Sequence, residues 1–239
     1  MKAVAIFLSI LVFVACLVIG IQAGNMSSAS SGSQPTATIF STSPTPQLQR
    51  TLLLISVDDL LSDTPRLNSL WLAFYRLNLP RVTILPLYPA NPGAELPGIA
   101  SAFQLTSSQE PDDRFIDTLH SYNINWDGYL LIDQSGTASL IDWLQGVQIE
   151  GIQLDGPSAV NSLIPPWEDE QAALLAQKRL GMGICSQLST LPANMDWLNL
   201  TSQLIPQHLH TNLGLEMFIA DWKALVGDPT PLTCEIPLP

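Results

Sequence analysis

A run that places several groups able to do chemistry at the end of an apolar stretch is TLLLISVDDLLSDTPRLNSLWL, residues 51–72. An apolar stretch there ends in Asp58 and Asp59, with Asp63 and Arg66 close behind. Carboxylates this close together offer the hard oxygen ligands that Mg²⁺ prefers. In open α/β sheets, ligands collect at the carboxyl ends of strands, which is where these acids fall. The competing role is structural: the same side chains can cap the turn, or a short helix starting near Leu60. Both roles fit the residues.

Other candidates are weaker. His208 and His210 in "HLH" would share one strand face as a metal pair, but no third ligand lies near in sequence, so a surface or core pair competes. His120, at the end of a helix, suits a dipole or packing contact. Asn25 and Asn199 head glycosylation sequons. No Gly-rich phosphate loop, zinc-protease pair or nucleophile elbow is present. Beyond Cys16 there are two cysteines, Cys185 and Cys234. They form either a disulfide closing a long C-terminal loop or two buried thiols, and their spacing has no metal-ligand pattern.

The elements that must position these groups follow from periodicity. Residues 51–57 read as a strand buried on both faces. Residues 69–77 and 81–87, joined by Asn78, Leu79 and Pro80, read as a β-hairpin. An amphipathic helix is expected over 112–123 and a strand over 128–133. Ser135 is the expected cap of a helix over 137–145 that stops at Gly146, and 147–154 reads as a further strand. Strand, helix and strand in such a short span predict a parallel crossover between 128–133 and 147–154. Three more helices are expected near 168–180, 195–206 and 213–226, the last ended by Gly227. The fold class is α/β: a mixed central sheet covered by helices.

The domain divides into three parts. Residues 3–23 carry no charge, and at about 1.5 Å per residue they are long enough to cross a bilayer core. Lys2 precedes them and no base follows until Arg50, which places the N-terminus inside. We read residues 1–24 as an uncleaved anchor, with Lys2 as its one inward-facing base. A cleaved signal and a lipoprotein motif at Cys16 compete with that reading. Residues 25–49 are Ser-, Thr- and Pro-rich and form a flexible linker. Residues 50–239 form one extracytoplasmic domain. It holds eight of the nine bases and all 21 acids, a formal net charge of −13. Such a surface repels nucleic acid and anionic membranes.

Taken in order, several stretches resemble the LytR–CpsA–Psr (LCP) family of bacterial cell-envelope proteins. "TLLLISVD" resembles that family's first strand, "RLNSLWL" its Arg-x-Asp-Thr segment, and "RVTILPLYPA" the next strand. "IASAF" resembles a helix start, and "DGYLLIDQSGTASLIDWLQGVQI" is the nearest match. "HTNLGLEMFIADW" resembles the terminal Thr-Asn-Leu stretch and helix. The resemblance implies a single membrane anchor and an activity that moves glycopolymers from a polyprenyl-pyrophosphate carrier to peptidoglycan. It also implies Mg²⁺ held by acids and a pyrophosphate held by arginines, groups that neutralise charge in phosphoryl transfer.

By that resemblance Asp58 stands at a metal-ligand position and Arg66 at a catalytic arginine. The departures are several. Asn68 replaces the second Asp, Leu60 replaces an Arg, and "PLYPA" (86–90) loses an Arg and an Asp. Residues 174–188 lack the spaced arginines, although Lys178 and Arg179 remain. Losing one preorganised stabiliser typically costs about 10²- to 10³-fold in turnover. The expectation is therefore a degenerate, non-catalytic member that binds a polyprenyl-linked or glycan ligand or a protein partner. One alternative is an active Mg²⁺-dependent phosphotransferase using Asp58, Arg66 and replacement bases such as Arg81 or Arg179. Another is an acidic interaction module without a lipid pocket. If the family's lipid cavity persists, Leu70, Leu72, Leu140, Leu144, Leu174 and Leu175 are candidates to line it.

Overall fold

The computed structural model describes residues 49–89, 96–163, 169–192, 194–204, 207–226 and 231–237. The expected membrane anchor, almost all of the linker, Asn25 and the stop at Gly227 lie outside these residues. Among the described residues no helix is long and apolar enough to cross a membrane.

Six strands build the central sheet: β1 (Gln49–Val57), β2 (Leu67–Arg76), β3 (Leu79–Tyr88), β4 (Gly128–Asp133), β7 (Leu209–Thr211) and β8 (Thr233–Glu235). Their spatial order is β7-β4-β1-β2-β3-β8. β1, β2 and β3 are antiparallel neighbours, so the hairpin expected over 69–87 forms. β4 runs parallel to β1 and β8 parallel to β3, which makes the sheet mixed. Period-two alternation then sends side chains to opposite faces. Leu53, Ile55 and Val57 of β1 pack on one face with Leu70, Leu72 and Leu131.

Two helices close that face: α1 (Ile99–Ala102) and α2 (Asp113–Ser121). Phe115 and Leu119 of α2 are fully buried there, each contributing about 2 kcal/mol of transfer free energy. The opposite face is covered by α3 (Gln134–Trp143), α4 (Gly156–Asn161), α5 (Glu170–Leu188), α6 (Trp197–Leu204) and α7 (Leu215–Val226). On that side Trp71 meets Leu174 and Ile236. Farther along, Trp197 is ringed by Trp143, Phe218 and Trp222 at centroid distances of 5.4, 5.1 and 5.0 Å.

The acids that dominate the charge are partly spent on helix starts. Asp112, Asp133, Asp155 and Asp169 cap α2 to α5, each accepting a backbone N–H of the first turn. This corrects the expected cap of α3: Asp133 holds the Gly136 N–H at 2.7 Å, and Ser135 lies inside the helix.

Residues 147–154 also differ from expectation. They form two short strands, β5 (Val147–Ile149) and β6 (Ile152–Leu154), paired antiparallel in a sheet of their own. Glu150 and Gly151 take φ of 51° and 84°, the left-handed pair that a tight two-residue hairpin turn requires. The chain therefore doubles back where a single strand was expected. No parallel crossover joins β4 to β5; the parallel partner of β4 is β1.

Candidate functional site at the end of the first strand

Both oxygens of Asp58 are committed. Oδ1 accepts the backbone N–H of Arg66 at 2.7 Å and that of Asp59 at 2.9 Å, while Oδ2 accepts Arg66 Nε–H at 2.8 Å. The Asp58 N–H in turn donates to the Arg66 carbonyl at 3.1 Å. The side chain thus closes the β1–β2 connection as a clasp. Partial burial pushes this carboxyl up, but the Arg66 side chain, the two backbone N–H donors and the Arg66 charge together hold it below the usual 3.8.

A folded-state value below the unfolded one means the clasp stabilises fully above the ordinary value and loses its effect as pH falls through the folded one. The stability difference between the native chain and Asp58→Asn should therefore be about 1 kcal/mol at pH 7, a figure discounted because the Arg66 side chain is 82% exposed. It should shrink towards zero by pH 2, which urea unfolding at the two pH values would show.

Asp59 makes a local turn, accepting the Leu61 N–H at 2.9 Å. Among the described residues no group of three His, Cys, Asp or Glu side chains could hold a metal ion. With both Asp58 oxygens taken by donors and Asp59 accepting the Leu61 N–H, this donor set does not fit Mg²⁺.

A deeper acid sits beside it, one that spacing alone did not single out. Asp133 ends β4, the parallel neighbour of β1, and is 1% exposed. Besides capping α3, its Oδ2 lies 3.0 Å from His208 Nδ1 and 3.4 Å from the Leu60 N–H. The signal in the sequence was an acid ending the apolar run GYLLID directly before QSG. His208 is therefore taken up by a carboxylate. His210 sits in β7 opposite Leu131 and has a partner of its own. Among the described residues no group of three potential metal ligands includes either. His120 stacks on Trp126 with centroids 5.0 Å apart, and Asn199 lies exposed on α6.

Comparison with known proteins now has a frame. No family model and no curated protein matches the sequence. Solved structures do match the fold. TagV of B. subtilis aligns with a TM-score of 0.55 at 15% identity, over 75% of this chain and 80% of that one. TagT bound to LIIa-WTA gives 0.56 at 15% identity, over 80% and 79%. Protein gbs0355 of Streptococcus agalactiae gives 0.57 at 12%, over 79% and 77%. The fold is the LytR–CpsA–Psr fold. At these identities the likeness is one of architecture.

Placed on the LCP fold, the departures in sequence acquire a geometry. Leu60, standing where that resemblance expects an arginine, is 1% exposed and belongs to the main core. Its N–H faces Asp133 and its carbonyl accepts Gln109 Nε2 at 3.0 Å. An apolar side chain is thus packed into the core beside the ends of β1 and β4. Asn68 is buried at the bulge of β2, and its carbonyl accepts Gln177 Nε2 at 3.1 Å.

The replacement bases are not available either. Arg81 sits near the start of β3, level with the β1 N-terminal end, roughly 30 Å from Asp58 at about 3.3 Å per strand residue. It pairs with Glu235 at 3.6 Å. Arg179 pairs with Glu150 at 3.1 Å, at the turn between β5 and β6.

The six leucines proposed for a lipid cavity are dispersed. Leu70 and Leu72 pack beneath α2, Leu174 packs on the other face against Trp71, and Leu140 joins the tryptophan cluster. Leu144 is buried, and Leu175 is 40% exposed on the outer side of α5. The sheet itself separates them. The two cysteines are joined: Cys185 of α5 and Cys234 of β8 form a disulfide with Cα atoms 6.2 Å apart.

Proposed function

We propose that this protein is an extracytoplasmic cell-envelope protein, anchored by residues 1–24, whose LCP-like domain binds but does not transfer. The observation that carries the reading is the state of the β1 end. Asp58 is locked to Arg66 and its own loop, and Leu60, standing where the resemblance expects an arginine, is buried in the core. Transfer from a pyrophosphate carrier needs free cations and a metal around the phosphates. Here the guanidinium groups of Arg50, Arg66, Arg81 and Arg179 are each engaged by a carboxylate. The likeness in fold to TagT, whose structures hold LIIa-WTA and LI-WTA, supports this ligand class. A polyprenyl-linked glycopolymer is thus the first ligand to test.

A second reading is a protein-interaction module with an acidic surface. It is favoured by one observation, the dispersal of the candidate cavity leucines over both faces of the sheet.

The test uses the full-length chain in nanodiscs with a short-chain prenyl pyrophosphate, with and without Mg²⁺. The expected result is saturable binding with no Mg²⁺-dependent phosphate release above buffer. Release that depends on Mg²⁺ and disappears in Asp58→Ala establishes the transferase instead. Absence of binding in both conditions favours the interaction module.

A further inference from the structure

A second site lies away from the β1 end. The outer side of α5 and the β5–β6 hairpin flank an open, shallow groove of about 460 Å³. Its helical wall is Leu175, Lys178, Arg179, Met182 and Ser186, which recur at helical spacing. Gln148, Ile149 and Glu150 form the other side. Gly183 allows the close approach, since a Cβ there would sit 3.1 Å from the Gln148 carbonyl.

The surface is apolar where solvent should favour polar groups. Leu175 and Met182 are each 40% exposed, and Ile152, opposite Ile149 in the hairpin register, is 62% exposed. Lys178 and Arg179 are the only adjacent bases in the sequence, within a domain of strongly negative charge. They are not equivalent. Arg179 is neutralised by Glu150. Lys178 is half-buried in the groove, and among the described residues no carboxylate pairs with its ammonium.

We propose that this groove binds a monoanionic amphiphile of the fatty-carboxylate type. The carboxylate sits on Lys178, and the alkyl chain covers Leu175, Met182 and Ile149. One unpaired cation balances one negative charge. A phosphomonoester carries about −1.5 to −2 at neutral pH. It would exceed that charge. The site uses no residue of the Asp58 clasp, so it stands or falls independently of the reading given above.

The test titrates the full-length chain, in phosphatidylcholine nanodiscs, with octanoate, octanol and octyl phosphate. The ¹³C-methyl resonance of Met182 reports occupancy, assigned through Met182→Leu. Octanoate is expected to bind saturably and shift that methyl, with Lys178→Gln weakening it about tenfold, the effect of losing one charged hydrogen-bonding partner. Because Lys178 is not part of the core, this variant keeps the fold, and the dispersed methyl spectrum verifies it. An unmoved Met182 methyl, octanol as strong as octanoate, tighter octyl phosphate, or unchanged affinity in Lys178→Gln each overturns the assignment.

Discussion

Reducing the Cys185–Cys234 disulfide is expected to lower the unfolding free energy by about 4 kcal/mol, the chain-entropy value for a closed loop of this length. The two residues are 49 apart in sequence. For a domain of this size that corresponds to a fall of about 10 °C in Tm. What makes the bond matter is what it holds. β8 has only three residues, pairing Thr233, Cys234 and Glu235 with Arg81, Val82 and Thr83. Ile236 beyond it is buried against Trp71 and Leu174. A strand that short does not stay paired on backbone hydrogen bonds alone. Thermal unfolding of oxidised and reduced protein, alongside the Cys185→Ala/Cys234→Ala double variant, measures the effect. Hydrogen exchange should show residues 231–237 losing protection first. A midpoint unmoved by reduction would mean that the pairing contributes nothing.

Replacing Asp221 with alanine is expected to cost about 3 kcal/mol. Asp221 of α7 is 7% exposed and accepts the Tyr75 hydroxyl at 2.7 Å. Arg50 Nε lies 3.5 Å from the same oxygen, an ion-pair contact without a formed hydrogen bond. Burial first, and then the bond to Asp221, push the Tyr75 phenol up, so the hydroxyl stays a donor at every accessible pH. Truncating the acid strands a half-buried guanidinium and an unpaired hydroxyl together, which is why breaking a buried pair costs more than the pair is worth. Asp221→Asn keeps an acceptor for Tyr75 and should lose about half as much. Tyr75→Phe, which orphans only one acceptor, should cost about 1 kcal/mol. Urea midpoints of the three variants decide this, and an Asp221→Ala midpoint equal to that of Tyr75→Phe would remove Arg50 from the account.

These two contacts share a logic. Each fixes a C-terminal element to a segment distant in sequence: Tyr75 and Arg50 of the central strands hold α7, and Cys185 of α5 holds β8. The first strand and the last helix are thereby bound at the end of the sheet opposite the Asp58 clasp.

Local pattern was enough for much of the fold. The apolar run of 51–57, the hairpin of 67–88, the helix capped at Asp112 and the strand GYLLID are each dictated by nearest-neighbour chemistry. The ordered stretches resembling the LCP family anticipated the architecture that solved structures share. The position of Asp58 at a strand end was equally legible, because a strand's carboxyl end is fixed by its own residues. Other features depended on partners that sequence spacing does not reveal. The β5–β6 hairpin turned on positive φ at Glu150 and Gly151, and an Ile-Glu-Gly-Ile stretch reads equally well as one strand. β8 was invisible because three residues carry no period; it exists through its pairing with β3 and its disulfide to α5. Asp133 looked like the last residue of a strand, and only the approach of Leu60 and His208 made it a buried hub. The six leucines were selected by hydrophobicity, which states that a side chain is buried but not on which face. The sequence determined which residues leave water; the sheet, by placing Leu72 and Leu174 on opposite sides, decided that they do not meet.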